Sequence, residues 1–245
     1  MKPRGNAPAI RSGMVLAAGE GRRMRPVTET LPKPLIPILG RPLLDHALDK
    51  LEAAGVETLV VNAFYLADHI ADHVAVRPGK PITLSRETAK LETGGGVAQA
   101  LPLLGDGPFF ALNGDNLIID GPRPALDRLA EAFDPARMDA LLMLHPLAWA
   151  HGYAGQGDFH MDQDGRLTRR SGAEVASFVF TGVQILTPGL FTDPPEAPWS
   201  LNRMYDRAIE RERLFGIAHD GEWFHVSRPE DIAATEERVS STFVN

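Results

Sequence analysis

Apolar residues form short runs along the whole chain, separated by helical-period stretches in the first half and by turn-like segments in the second. Residues 14–18 contain no polar side chain, the pattern of a parallel strand buried on both faces. Behind Pro42, residues Leu43, Leu44, Ala47, Leu48, Leu51 and Ala54 recur at helical spacing, and Gly55 closes that helix. Residues 58–64 predict a second buried strand, residues 66–74 a second helix and residues 82–84 a third strand. This βαβαβ rhythm implies a parallel sheet with right-handed crossovers. A helix opening at Leu91-Glu92-Thr93-Gly94-Gly95-Gly96, capped by Thr93, and an apolar strand over 108–113 continue it.

Beyond residue 120 the pattern changes. Residues 139–145 predict another strand, and 158–161 with 166–169 predict a hairpin around Asp162-Gln-Asp-Gly165. A long strand is expected over 177–186, interrupted at Gly182, where a ligand or second backbone can approach. A helix from Ser200 to Arg213, a last strand over 222–226 and a terminal helix behind the capping box Ser227-Arg-Pro-Glu230 complete the chain. The expectation is an α/β fold: a Rossmann-like, mostly parallel sheet flanked by helices, with a more antiparallel portion inserted. No linker or repeat divides it, so residues 13–245 read as one domain behind a loose tail, residues 1–12.

Composition narrows the functional classes. The chain has 245 residues and a formal net charge of −7, which argues against nucleic acid as the main partner. Positive charge is nevertheless concentrated at Arg22, Arg23, Arg25, Lys33 and Arg41, which suits a small anionic ligand. The absence of cysteine excludes disulfides and thiolate metal sites. The N-terminus lacks the apolar core of a signal peptide and no run reaches a membrane span, so the expected location is the cytoplasm, without a membrane partner. The sequence leaves the oligomeric state open.

Chemistry concentrates directly behind the first strand. Gly19 and Gly21 permit a tight backbone turn, whose amides, with the arginines and Lys33, make an anion site. Met24 stands where a third glycine would complete a dinucleotide fingerprint, and no Gly-Lys-Ser/Thr follows. Asp115, just past a central strand, projects toward the rim where such sheets bind ligands. The glycines after Thr93, opening a helix, are expected to leave amides free for a phosphate or base. His69 and His73 lie four apart on a helix but lack a third ligand, and Trp149 and Trp199 read as core or rim residues.

Leu16-Ala-Ala-Gly-Glu-Gly-Arg-Arg-Met-Arg-Pro and Pro32-Lys33-Pro34 together resemble the signature of the sugar-1-phosphate nucleotidyltransferases, over about residues 13–240. The resemblance implies a nucleotide-binding part, about 13–120, a sugar-binding part, about 121–228, and a C-terminal helix, 229–240. It implies nucleotidyl transfer from a nucleoside triphosphate to a sugar-1-phosphate, with both small molecules as partners. Arg23 would neutralise the triphosphate, Lys33 would bridge the α-phosphate and the sugar phosphate, and Asp115 would hold Mg²⁺. Leu16, Ala17, Gly19, Gly21, Arg22, Asn62, Glu87, Thr93 and Gly94 are the implied nucleotide contacts, and Asn113, Gly155, Thr181 and Gly182 the sugar contacts.

Three segments, Leu91-Glu-Thr-Gly-Gly-Gly-Val, Leu101-Pro-Leu-Leu-Gly-Asp and Gly155-Gln-Gly-Asp-Phe, look like the N-acetylmuramate-1-phosphate uridylyltransferases of cell-wall recycling. Mannose- or heptose-1-phosphate guanylyltransferases and a non-catalytic nucleotide-sugar regulator remain alternatives. The Glu87 carboxylate can accept from uracil or guanine and does not choose between them. One segment departs from the pattern: Trp223-Phe-His225-Val-Ser227 has histidine where Trp-x-Asp-Val-Gly supplies a second metal carboxylate. Imidazole is a poor Mg²⁺ ligand, which leaves Asp115 with water and phosphates, a preference for Mn²⁺, or a contribution from Asp220 or Asp231.

Overall fold

The computed structural model describes residues 9–243. The first half runs β1 (Ser12–Leu16), β2 (Pro37–Ile38), β3 (Arg41–Pro42), α1 (Leu43–Ala53), β4 (Thr58–Ala63), α2 (Ala67–Val76), β5 (Ile82–Arg86), α3 (Glu92–Leu104), β6 (Phe109–Asn113) and β7 (Leu117–Ile119). The second half runs α4 (Ala125–Ala132), β8 (Ala140–Pro146), β9 (Phe159–Met161), β10 (Leu167–Arg169), β11 (Phe178–Leu186), α5 (Asn202–Glu210), β12 (Leu214–Ala218), β13 (Glu222–Phe224) and α6 (Glu230–Phe243).

Nine strands form one mixed sheet, in the order β10-β9-β11-β6-β1-β4-β5, with β8 beside β11 and β12 beside β8. β6, β1, β4 and β5 are mutually parallel, while β11 is antiparallel to both β6 and β8. Alternation along the parallel strands serves both faces. Val15, Val61 and Phe110 pack with Leu44 and Leu48 of α1 and Leu129 of α4, whereas Met14, Val60 and Phe109 pack with Val97 of α3 and Met204 of α5. A third, smaller core gathers Met24, Ile36, Leu43, Leu117, Phe224 and Val239 beneath the glycine loop. The expected mostly parallel sheet with an antiparallel addition is therefore present.

Several local expectations need correction. The short helix α4 and the strands β7 and β12 are not in the sequence-based prediction. The helix expected to reach Arg213 ends at Glu210, because Leu214-Phe-Gly-Ile-Ala leaves to pair in parallel with β8. The strand expected over 222–226 stops at Phe224 and pairs outside the main sheet, with β7. Thr93 does not cap α3; its hydroxyl accepts the Leu201 amide at 3.0 Å. At α6 the accepting carboxylate is that of Asp231, not Glu230, and it takes the amides of Ser227 and Arg228 at 2.8 Å each. Of the tail expected over 1–12, residues 1–8 lie outside the described residues; Ile10 is buried in the core and Ser12 opens β1.

Candidate active site

The C-terminal ends of β1, β4, β5 and β6 open onto a cavity of about 330 Å³, a volume that suits a small-molecule ligand. One wall is the glycine loop. Gly21 adopts φ +60°, and Thr28 donates its hydroxyl to the Gly21 carbonyl at 2.9 Å, folding the loop back on itself. A Cβ on Gly21 would lie 3.0 Å from both Lys33 and Thr28, so only glycine fits without displacement. Gly19 has nothing within 4 Å of its would-be Cβ and faces open cavity. Arg22 and Arg23 line the same space.

Lys33 and Asp115 meet at the head of the cavity. The Lys33 ammonium is buried and donates to Oδ2 of Asp115 at 2.9 Å, while Asp115 stays partly exposed. The contact is fixed by backbone: the Gly114 amide donates to the Leu16 carbonyl at 2.9 Å, stapling the Asp115 turn to the end of β1. Asn113 lines the cavity beside them. Lys33 is buried against the glycine turn.

The opposite wall carries a buried polar relay. The Ala17 amide donates to Asn62 Oδ1 at 2.9 Å, and Asn62 Nδ2 donates to Glu87 Oε1 at 2.7 Å. Burial raises the Glu87 pKa above the ordinary carboxylate range, with the Asn62 hydrogen bond acting the other way. Leu16, Asn62, Glu87 and Thr93 line the cavity, whereas Ala17 is buried behind it.

Gly94 has another task. Its amide and that of Gly95 donate to the Trp199 carbonyl at 2.9 and 3.2 Å, so neither is free for a ligand. A Cβ on Gly94 would fall 2.1 Å from the Trp199 ring, which explains the glycine by packing. Three sugar-side candidates also lie off this cavity. Thr181 is fully buried and donates its hydroxyl to the Met143 carbonyl at 2.8 Å. Gly182, at φ +84°, lets β11 pass Asn113, to which a Cβ would approach within 2.8 Å. Gly155 is exposed above the Tyr153 ring.

His225 stacks on Trp223 with centroids 5.7 Å apart and receives the Tyr153 ring edge-on at 5.8 Å. Its pKa is lowered, first by burial and then by the charge of Lys33; Asp115 and Asp231 pull it upward. His225 is thus within electrostatic reach of the Lys33–Asp115 pair without lining the cavity. The other expected carboxylates are engaged elsewhere, Asp220 with Arg128 at 2.7 Å and Asp231 with the start of α6. Among the described residues no three His, Asp or Glu side chains converge as a metal cage. One carboxylate facing an anion site does suit Mg²⁺, which is commonly held by one or two carboxylates together with substrate phosphates.

Lys90, Glu92 and Ser227 also line the cavity. Lys90 and Glu92 carry no motif of their own in the sequence, since they flank Leu91 beside a threonine and a run of glycines, and Ser227 has the pattern of a helix cap. Glu92 adopts φ +62°, a left-handed conformation that is strained for a glutamate.

The profile of the nucleotidyl transferase family matches residues 12–169. The chain is 42% identical over 239 residues to N-acetylmuramate alpha-1-phosphate uridylyltransferase of Caulobacter vibrioides, covering 96% of this chain and 98% of that one. It is 36% identical over 221 residues to the enzyme of the same name from Neisseria meningitidis, covering 87% and 91%. Among solved structures, UDP-glucose pyrophosphorylase complexed with UDP-glucose superposes with a TM-score of 0.80 at 17% identity, covering 95% of this chain and 99% of that one. The glycine loop, the Lys33–Asp115 pair and these matches agree: the chain belongs to the nucleotidyl transferase family, among its sugar-1-phosphate nucleotidyltransferases.

Proposed function

We propose that this protein transfers the uridylyl group of UTP to N-acetylmuramate-1-phosphate, giving the UDP-sugar and pyrophosphate in cell-wall recycling in the cytoplasm. The observation that carries the reading is the buried Lys33 ammonium, 2.9 Å from Asp115 at the head of a cavity walled by the glycine loop. The similarity to the two uridylyltransferases supports the choice of substrates. About residues 13–120 then serve the nucleotide and about 121–228 the sugar, with α6 closing the small core beneath the glycine loop.

A sugar phosphate oxygen is already a competent nucleophile, so no serine, cysteine or histidine nucleophile is required. That oxygen attacks the α-phosphorus as the bond to the β-phosphate oxygen breaks, and pyrophosphate departs with the bonding electrons. The protein's task is to hold two repelling polyanions in line and to neutralise the charge between them. In this reading Lys33 lies between the α-phosphate and the incoming phosphate, and Arg23 neutralises the triphosphate; the burial of Lys33 at the cavity and the lack of an ion-pair partner for Arg23 among the described residues support these roles. Asn113 orients the sugar, Gly182 lets β11 pass close beside Asn113, and Gly155 shapes the loop beyond. Thr181 holds β11 to β8 rather than touching substrate. Asp115 would hold Mg²⁺, or Mn²⁺, with His225 behind it; such an ion supplies Lewis-acid neutralisation of the phosphates.

The test is a pyrophosphate-release assay crossing UTP and GTP with N-acetylmuramate-, mannose- and heptose-1-phosphate. Release is expected only with nucleotide, sugar phosphate and divalent metal together, fastest with UTP and N-acetylmuramate-1-phosphate. A preference for GTP would replace the reading by guanylyl transfer, and binding without turnover across the whole panel would sink it in favour of a regulator.

A further inference from the structure

Two cations from different loops converge on one carboxylate at the mouth of the cavity. Arg22 grips Glu20 through two nitrogens, Nε to Oε2 at 2.5 Å and Nη2 to Oε1 at 3.2 Å. Lys90, arriving from the loop between β5 and α3, places its ammonium 3.7 Å from Oε1 of the same group. Lys90 also pairs with Glu92 at 2.9 Å, and Glu92 holds the left-handed backbone that turns its side chain toward the cavity. Arg22, Lys90 and Glu92 all line the nucleotide cavity.

We infer that Arg22 and Lys90 form a clamp for the polyphosphate of the nucleotide, and that Glu20 is the internal anion a substrate must displace from it. The inference rests on the nucleotidyl transfer proposed above and adds Lys90 and Glu20 to the residues that govern substrate affinity.

The physical argument begins with exposure. Arg22 and Lys90 are 71% and 53% exposed, and ion pairs that open to water contribute little to stability. A solvated pair has no need of two cations on one carboxylate, nor of a strained backbone beside it. A triphosphate carries more negative charge than one carboxylate and offers several acceptor oxygens, so it outcompetes Glu20 for both cations. On binding, the glycine loop and the β5–α3 loop become joined through the ligand instead of through Glu20. Lys33, which is buried, and Arg23, which has no ion-pair partner among the described residues, are not part of this exchange.

Equilibrium binding to the full chain tests the inference without turnover. Wild type, Lys90→Met, Lys90→Arg and Glu20→Gln are titrated calorimetrically with UTP, inorganic tripolyphosphate and uridine at two salt concentrations. Lys90→Met should weaken UTP and tripolyphosphate about fivefold, the scale of an exposed charge pair, while Lys90→Arg restores both. Glu20→Gln should tighten both by a similar factor, and every difference should shrink at high salt. Uridine, which has no phosphate, should bind all four proteins alike. Unaltered UTP affinity in Lys90→Met, or weaker affinity in Glu20→Gln, overturns the clamp while leaving nucleotidyl transfer standing. Failure of the wild type to bind any of the phosphate probes removes both readings. Melting temperatures matching the wild type, expected for side chains this exposed, tie the changes to the ligand.

Discussion

The Lys33 ammonium and the Asp115 carboxylate, 82 positions apart, are joined by a 2.9 Å hydrogen bond at the edge of the glycine loop. In the absence of substrate each supplies the other's counter-charge. In the proposed reaction phosphates and a cation divide this pair, so Lys33→Met should lower kcat on the order of 10²- to 10³-fold, as loss of one preorganised charge does. Asp115 is open enough to be solvated when its partner is removed, so stability should fall by only about 1 kcal/mol or less. Wild-type turnover in Lys33→Met, measured by pyrophosphate release, removes Lys33 from the mechanism.

A second prediction separates a glycine that lines the cavity from one that does not. Gly94→Ala pushes a methyl group into the Trp199 ring and should cost about 1–3 kcal/mol, read as a lower urea midpoint. Gly19→Ala meets no protein atom within 4 Å, so the midpoint should stay while the KM for the nucleotide rises. The opposite pattern would reverse the two roles.

The third concerns His225. A carboxylate there would give hard oxygen beside Lys33 and Asp115, so His225→Asp should shift the Mg²⁺ dependence of turnover to lower concentration. Burial and the neighbouring lysine hold the imidazole below its ordinary value, so any loss of activity caused by its protonation begins below about pH 6.5 rather than at it. Identical metal and pH profiles in the two proteins would place His225 away from the metal.

A fourth follows from two buried histidines. His145, between the carbonyls of Pro146 and Gly221, and His219, against the Ile119 carbonyl, both have pKa values lowered, primarily by burial. The unfolded chain binds protons on these rings before the folded one does. Stability is therefore fully present above about pH 6.5 and falls as pH drops through the lowered folded values. Urea midpoints between pH 7.5 and 5 should show this slope, and His219→Gln should flatten it. A variant with the full wild-type slope would exclude His219 as a source.

The parallel half of the sheet was legible because buried parallel strands carry unbroken apolar runs, and residues 14–18 and 108–113 have them. The glycine loop, Lys33 and Asp115 were legible as motifs, Asn62 and Glu87 only through the family resemblance, and the fold brings them around one cavity. What escaped depends on distant partners. The Gly94–Gly96 run looks like a phosphate turn until Trp199, a hundred residues on, packs against it. Thr93 has the chemistry of a cap, but the Leu201 amide takes its oxygen. α4 and β12 carried usable signals, Leu126 with Leu129 and the run Leu214-Phe-Gly-Ile-Ala, but both are short and lie between prolines or helix ends.

The placement of β11 bears on what part of this chain can exist alone. The stretch by which the family is recognised ends at residue 169, yet β11 begins at Phe178 and fills the gap between β6 and β8. A polypeptide cut at that boundary would expose an open edge on β6, leave β9 paired with β10 alone and leave the glycines of α3 without Trp199. The segment that ends at residue 169 therefore cannot complete this sheet by itself, and minimal versions of this enzyme must retain the chain at least through β11 and the Trp199 segment.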